Sequence, residues 1–200
     1  MRSWLTNIQW CPGCGDFLII MAIKNAFKEL GIESHQRVVV SGVGCSGKAS
    51  QYIDGYAAET LHGRTLPFAT GVKITKPELT VMAVWGDGDG YWIGMGHFIH
   101  ACRRDIDMTY IVFNNENYAL TTGQASPTTP LGAKTKTTPT GNTIAPFDPV
   151  ELAKQAWCRF AVRADSLKFA ELKQTIKDAI QHPWFSLIDV TQACPSFKRW

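Results

Sequence analysis

Short apolar runs alternate with longer amphipathic segments along most of this chain, and no internal repeat interrupts them. Residues 16–30 carry apolar positions at helical spacing, and Gly31 supplies the left-handed stop that commonly closes a helix. Residues 37–41, 79–85, 108–113 and 185–191 read as buried strands, rich in Val, Ile and aromatic side chains. Gly86 to Gly90 breaks the second of these, and residues 93–104 read as a helix opening at the glycines. Asp148 followed by Pro149 predicts a helix running to about Ala156, with Asp as N-cap and Pro at the first position. Residues 157–163 are a further strand candidate. Ser166 is the predicted cap of a helix over 167–181, which His182-Pro183 ends. Such alternation predicts an α/β fold with a doubly wound, mainly parallel sheet.

The densest chemistry lies in VWGDGDGYWIGMGHFIHACRRDIDMTYIVFNN, residues 84–115. A strand, a glycine loop and a helix N-terminus form an anion cradle, because free backbone N–H groups and the positive helix end face one spot. Phosphate fits there. Asp87 adds a carboxylate oxygen, and Asn115 adds another from the end of the next strand. Together they suit Mg²⁺, which takes few protein oxygens and completes its octahedron with phosphate and water. A lone Gly-Asp-Gly is also a common surface turn; the Asn-Asn pair one strand later argues for the site.

Four of the six cysteines lie in loops: Cys11 and Cys14 in CPGC, Cys45 in GVGCS, and Cys194 in QACP. Four thiolates can close one iron–sulfur cluster or one zinc site, and a C-x-x-C pair alone also suits a redox dithiol. Disulfides fit less well, since the N-terminal MRSWLTNIQW has no apolar core of secretory length. Cys102 and Cys158 fall in apolar helical or strand patterns, which predicts buried structural thiols. Cys45, Asp87, Asn115 and Cys194 all follow predicted strand C-termini, where a doubly wound sheet keeps its ligand crevice.

Two hundred residues with 45% hydrophobic content suffice for one domain, residues 1–200, with a sizeable core. A net charge of +3 gives no case for nucleic acid, and no apolar run is long enough to span a membrane. Free thiols in this pattern imply a reducing cytoplasm. Residues 123–149 hold SPTTP and KTKTTPTGN and would pass for a linker in isolation. Because they leave the strand that carries Asn115, a long lid or interface loop is expected instead.

The pairing of GDG with NN resembles the thiamine-diphosphate motif. Together with WCPGCG, GVGCSG, LHGR, LPFATGVK, IHACRR, NNENYALTTGQASPTT and a final CPSF, the chain from residue 10 to about 197 is similar to the β subunit of 2-oxoacid:ferredoxin oxidoreductases. That resemblance implies a thiamine-diphosphate-binding module whose Mg²⁺ is held by Asp87, Asn115 and the backbone carbonyl of Asn117. Gly88 and Asp89 would meet the diphosphate through backbone groups, and His62 would donate to it. Val43, Gly44, Cys45 and Ser46 would pass beside the thiamine, with Ala119 and Leu120 packing near its core, where family members more often carry Gly and Met. Cys11, Cys14, Cys45 and Cys194 would hold one [4Fe–4S] cluster.

The resemblance further implies oxidative decarboxylation of a 2-oxoacid to acyl-CoA and CO₂, with coenzyme A as acyl acceptor and electrons leaving through the cluster to ferredoxin. The pyrimidine-binding half and the glutamate for the aminopyrimidine belong to a larger α subunit in that family, so no catalytic acid or base is assigned within this chain. Lys48 is placed as a partner for a distal substrate carboxylate, which 2-oxoglutarate has and pyruvate lacks; a solvated surface lysine is its other reading. WCPGCGD and the SPTT loop lean toward 2-oxoglutarate. Relatives run on beyond CPTFN, here CPSFK, which reads as either a natural short form or a piece lacking its cluster cover. Two further readings stay open: a non-oxidative thiamine-dependent decarboxylase or carboligase with a zinc site, and a non-catalytic scaffold.

Overall fold

The computed structural model describes residues 8–198; most of the N-terminal stretch read for a secretory signal, and the final Arg199 and Trp200, lie outside them. Eight strands, β1 (Arg37–Ser41), β2 (Tyr56–Glu59), β3 (Thr80–Gly86), β4 (Thr109–Asn114), β5 (Asn117–Tyr118), β6 (Gln124–Ala125), β7 (Phe160–Asp165) and β8 (Ser186–Thr191), follow in chain order. β5 and β6 form a small antiparallel pair, whereas the other six form one sheet of order β2-β1-β3-β4-β8-β7, every pairing parallel. From β1 the chain moves outward to β2, then returns to lay down β3 and the remaining strands on the other side. The order therefore reverses between β1 and β3, and a crevice opens beyond their carboxyl ends.

Helices α1 (Asp16–Glu29), α2 (Ala49–Tyr52), α3 (Thr65–Thr75), α4 (Met95–Arg104), α5 (Pro149–Gln155) and α6 (Phe169–Gln181) cover both faces. Successive side chains on a strand point to opposite faces, and the two cores divide accordingly. Val39, Met82, Val84, Ile111, Phe113 and Ile188 pack under α1 and α6. Val38, Val40, Ala83, Trp85, Tyr110 and Val112 pack under α3, α4 and α5. Burial on both faces explains why these strands read as continuous apolar runs. Glu29 on α1 pairs with Lys173 and Lys177 of α6, fastening the outer layer.

Helix ends follow local rules where the rules are strong. Asp148 accepts from the N–H groups of Val150 (2.9 Å) and Glu151 (3.2 Å), with Pro149 at the first helical position. Gly31, with φ +67°, follows the end of α1 as expected.

Elsewhere tertiary packing prevails. β2 is an exposed edge strand, YAAE, with no apolar alternation to betray it. α3 holds Pro67 in its first turn, where no N–H is needed, and Gly71 in its middle, so its sequence hides a helix. The helix expected over 93–104 starts as a π-helical turn, Asp89–Ile93, that buries Tyr91 before α4 begins at Met95. Ser166 is not the cap of α6: Lys168 takes that place, and the buried Ser166 Oγ instead lies 3.4 Å from the Ala193 N–H. Trp157, at φ +75°, turns the chain, so β7 begins only at Phe160 and Cys158 sits in the turn rather than in a helix or strand. Cys158 is nonetheless buried, its thiol 3.2 Å from the Phe160 carbonyl, and Cys102 is fully buried on α4. No helix among the described residues is long and apolar enough to cross a membrane.

Ile23 is 0% exposed between α1 and the sheet. Ile23→Ala is expected to cost about 2–5 kcal/mol, from lost transfer energy plus a cavity that the flanking helices cannot collapse. Urea unfolding followed by circular dichroism measures it.

Candidate cofactor and metal site

A cleft of about 280 Å³ opens at the carboxyl ends of β1, β3 and β4. Its lining includes every residue expected to touch the cofactor: Val43, Gly44, Cys45, Ser46, His62, Gly88, Asp89, Ala119 and Leu120. Asp87, Asn115 and Asn117 line it as well, and so do Asp16 and Tyr118, which sequence reasoning did not place there.

Backbone geometry builds the walls. β1 and β3 continue their ladder through the Gly42 N–H to the Val84 carbonyl (3.1 Å), after which residues 43–46 turn over the cleft. Asp89 gathers two segments onto its own: its Oδ2 accepts from the Val43 N–H at 2.7 Å, its Oδ1 accepts from the Gly63 N–H at 2.5 Å, and His62 Nδ1 lies 2.6 Å from the same Oδ1. The Asp89 side chain is thus committed to the walls, which leaves Nε2 of His62 as the ring nitrogen for a ligand. Space around Asp89 is tight. A Cβ on Gly42 would stand 2.0 Å from Asp89 Oδ2 and 2.1 Å from the Trp85 ring, and one on Gly88 would stand 2.3 Å from the Tyr118 ring. Tyr118 also donates its hydroxyl to the Gly88 carbonyl at 2.9 Å, so β5 closes the glycine loop from outside.

The three residues expected to supply oxygens to a cation, Asp87, Asn115 and Asn117, share this floor. Asp87 is 1% exposed, and burial pushes its carboxyl up to about 6 against the opposing pull of the Ser126 and Thr128 hydroxyls. Thr128 Oγ1 stands 2.9 Å from Asp87 Oδ2. Asn115 Oδ1 accepts from the Asn117 N–H at 3.1 Å, and the Asn115 carbonyl accepts from Asn117 Nδ2 at 2.8 Å. Glu116 between them has φ +62°, the strained link that folds the two asparagines back on each other. Asn117 Oδ1 is buried with no hydrogen-bond partner in the structure. A carboxylate and amide oxygens, one of them orphaned, fit a hard divalent cation.

The cysteine loops meet at the opposite side. Trp10, in WCPGC, donates its indole N–H to the Cys45 carbonyl at 2.8 Å. Gly15 donates to the Ala193 carbonyl at 2.9 Å, Gln192 Nε2 lies 3.1 Å from Cys14 Sγ, and Ser196 Oγ lies 3.2 Å from Cys11 Sγ. Three distant segments are thereby stitched together, with Cys11, Cys14, Cys45 and Cys194 unpaired as disulfides. Burial, then the adjacent Asp16 carboxyl, pushes Cys45 up to about 11 and Cys14 higher still, so each resides as a thiol. No group of three or more His, Cys, Asp or Glu side chains among the described residues is arranged to hold a single metal ion.

Asp16 opens α1 at 1% exposure, with neither carboxyl oxygen in a well-formed hydrogen bond; burial raises it to about 7. Only its buried position, which a helix-start reading does not give, marks it. Lys48 falls outside the cleft lining: its Nζ reaches the Gln9 side-chain oxygen at 3.2 Å. The tail beyond Cys194 returns to the asparagine turn, where Phe197 lies against Gly123 and Lys198 Nζ pairs with Glu116 at 3.1 Å.

A parallel sheet that holds an acidic glycine loop and an Asn-Asn turn at its switch point defines a thiamine-diphosphate-binding module. Residues 34–190 match the family model described as the C-terminal thiamine-pyrophosphate-binding domain of thiamine pyrophosphate enzymes. The whole chain is 47% identical over 199 residues to the 2-oxoglutarate synthase subunit KorB of Archaeoglobus fulgidus, spanning 74% of that protein. It is 46% identical over 192 residues to the 2-oxoacid:ferredoxin oxidoreductase subunit beta of Saccharolobus solfataricus, covering 95% of this chain and 63% of that one. The solved 2-oxoglutarate:ferredoxin oxidoreductase from Magnetococcus marinus, with 2-oxoglutarate, coenzyme A and succinyl-CoA bound, superposes with a TM-score of 0.95 at 36% identity, covering 97% of this chain and 67% of that one. The chain belongs to the β-subunit family of 2-oxoacid:ferredoxin oxidoreductases. It spans between 63% and 74% of the length of the two curated relatives named.

Gly42→Ala is expected to force Asp89 or Trp85 from place, costing about 1–3 kcal/mol as an overpacked site does. A lowered denaturation midpoint with altered tryptophan emission reports it.

Proposed function

We propose that this chain is the thiamine-diphosphate-binding β subunit of an enzyme that oxidatively decarboxylates a 2-oxoacid, leaning to 2-oxoglutarate, and passes the acyl group to coenzyme A and the electrons to ferredoxin. The observation that carries the reading is one cleft with Asp87, Asn115 and Asn117 on one side and, on the other, Cys45, the one cysteine of the four that lines it, its loop stitched to those of Cys14 and Cys194. Residues on the first side would hold Mg²⁺ and, through it, the cofactor's diphosphate, with Gly88 and Asp89 contributing backbone groups and His62 its Nε2. Those on the second, Cys11, Cys14, Cys45 and Cys194, would hold one [4Fe–4S] cluster. A tetrahedral zinc site gathers four ligands at about 2.0–2.3 Å around one ion, whereas a cubane takes one thiolate per iron. Bound thiamine diphosphate supplies the carbanion chemistry.

This chain's own part is position and electrostatics. Residues 43–46 and 119–120 shape the pocket for the thiazolium side and exclude water. The Asp89 clamp fixes residues 43 and 63 before any ligand arrives, so ordering costs little on binding. Metal loading would take protons from the Cys14 and Cys45 thiols. The pyrimidine-binding half and the aminopyrimidine glutamate would come from an α subunit, and the free thiols suit a reducing cytoplasm. Relatives named for 2-oxoglutarate, one with that substrate bound, favour it over pyruvate.

The test is anaerobic co-expression with the α subunit, then iron and sulfide analysis with EPR of the reduced complex. One cluster per β chain is expected, lost on Cys14→Ser and retained on Cys102→Ser. A complex that holds zinc alone would hand the reading to a non-oxidative thiamine enzyme. A second measurement concerns Lys48, which must release Gln9 to meet a substrate. Lys48→Met is expected to raise KM for 2-oxoglutarate by roughly tenfold or more and leave pyruvate nearly unchanged, the loss of one charge-assisted hydrogen bond. Equal effects on both substrates would place Lys48 at the carboxylate they share or at the cofactor, and no effect would return it to the surface.

A further inference from the structure

The stretch expected as a lid or interface loop is, in the structure, fastened down around one hydroxyl. Thr128 is buried, and its Oγ1 stands 2.9 Å from Asp87 Oδ2 and 2.9 Å from Asn114 Oδ1. A hydroxyl carries one proton, so it donates to only one of them. Asn114 Oδ1 already accepts the Glu116 N–H at 3.2 Å, while its amide nitrogen donates to Asp189 at 3.1 Å. The carboxylate is the stronger acceptor, since a hydrogen bond to a charged group is shorter and stronger than one to a neutral amide. Thr128 therefore donates to Asp87 Oδ2, on a carboxylate whose residue lines the cleft. The neighbouring Thr129 holds the loop in this register by donating to the Glu116 carbonyl at 2.5 Å, and Asn142 donates back to the Thr129 carbonyl at 2.8 Å.

We infer that Thr128 is a positioning and selectivity residue for the cation: by donating to Oδ2 it disfavours coordination through both oxygens of Asp87 and so favours a small octahedral ion over a larger one. Mg²⁺ keeps near-ideal sixfold geometry and uses single oxygens from one or two carboxylates. Ca²⁺ takes six to eight oxygens and readily accepts both oxygens of one carboxylate. A hydrogen bond to Oδ2 takes one of its lone pairs and draws charge from it, so the two-oxygen mode gains less. The inference rests on the reading of Asp87 as a cation ligand. It adds what holds that ligand, and which ion the holding selects.

The experiment is cofactor binding to the reconstituted αβ complex, followed by tryptophan quenching with thiamine diphosphate in excess, while Mg²⁺ or Ca²⁺ is titrated. Wild type is expected to prefer Mg²⁺. Thr128→Val is expected to weaken the Mg²⁺ dependence by about tenfold or more while the Ca²⁺ dependence stays or improves, and Thr128→Ser is expected to restore the wild-type preference. If Thr128→Val does not assemble, Thr128→Ala carries the same comparison with a smaller side chain. Unchanged preference in the Val or Ala variant overturns the inference, as does equal loss for both ions that Ser fails to restore. Asp87→Ala separates the two levels. If it binds cofactor as wild type does, the reading of the site falls. If it abolishes metal-dependent binding while Thr128→Val changes nothing, the inference alone falls.

Discussion

The cleft depends on one buried carboxylate. Asp89 accepts backbone N–H groups from Val43 and Gly63, which belong to connections leaving β1 and β2, and it does so from the turn that leaves β3. Strand ends in a parallel sheet diverge, and nothing in the sheet itself tells the loops beyond them where to meet. A charged acceptor with two oxygens tells them, because a buried carboxylate left without donors costs more than the hydrogen bonds return. The glycines follow from this demand. Gly42 lets Asp89 and Trp85 approach its own backbone, and Gly63, at φ +72°, makes the turn that brings its N–H inward.

Sequence legibility tracked how local each determinant is. The sheet strands through the middle were readable because both faces are buried and the runs are apolar throughout; Asp148, Pro149 and Gly31 were readable because capping is settled within a turn. β2 was not, since an edge strand exposed along nearly its whole length needs no apolar pattern. Ser166 misled because its hydroxyl had a distant partner, the Ala193 N–H, that outweighed its cap role. Within the site, glycines and metal-type ligands stood out by residue type. Tyr118 and Asp16 did not, because an aromatic on a small hairpin and an acid at a helix start acquire their meaning only from what lies across the cleft.

The polar stretch after Tyr118 shows the same contrast on a larger scale. Its Ser, Thr, Pro and Gly content matches disordered segments, yet Thr128, Thr129, Ala133 and Asn142 are buried. Order there comes from short-range hydroxyl and amide bonds, such as Asn142 to the Thr129 and Ile144 carbonyls, rather than from an apolar core. A loop held this way is specific, since each bond fixes a direction as well as a distance.

The return of the chain after Cys194 carries a thermodynamic consequence. Lys198 pairs with Glu116, the residue between Asn115 and Asn117, while Phe197 rests on Gly123 and the Lys198 N–H reaches the Cys194 carbonyl at 3.3 Å. One short strap thus touches the cysteine side and the asparagine turn at once. Whatever orders one end lowers the entropy left to lose at the other, and linkage makes that effect reciprocal. A displacement at Cys194 would therefore be felt at the link between Asn115 and Asn117, and a displacement of that link at Cys194.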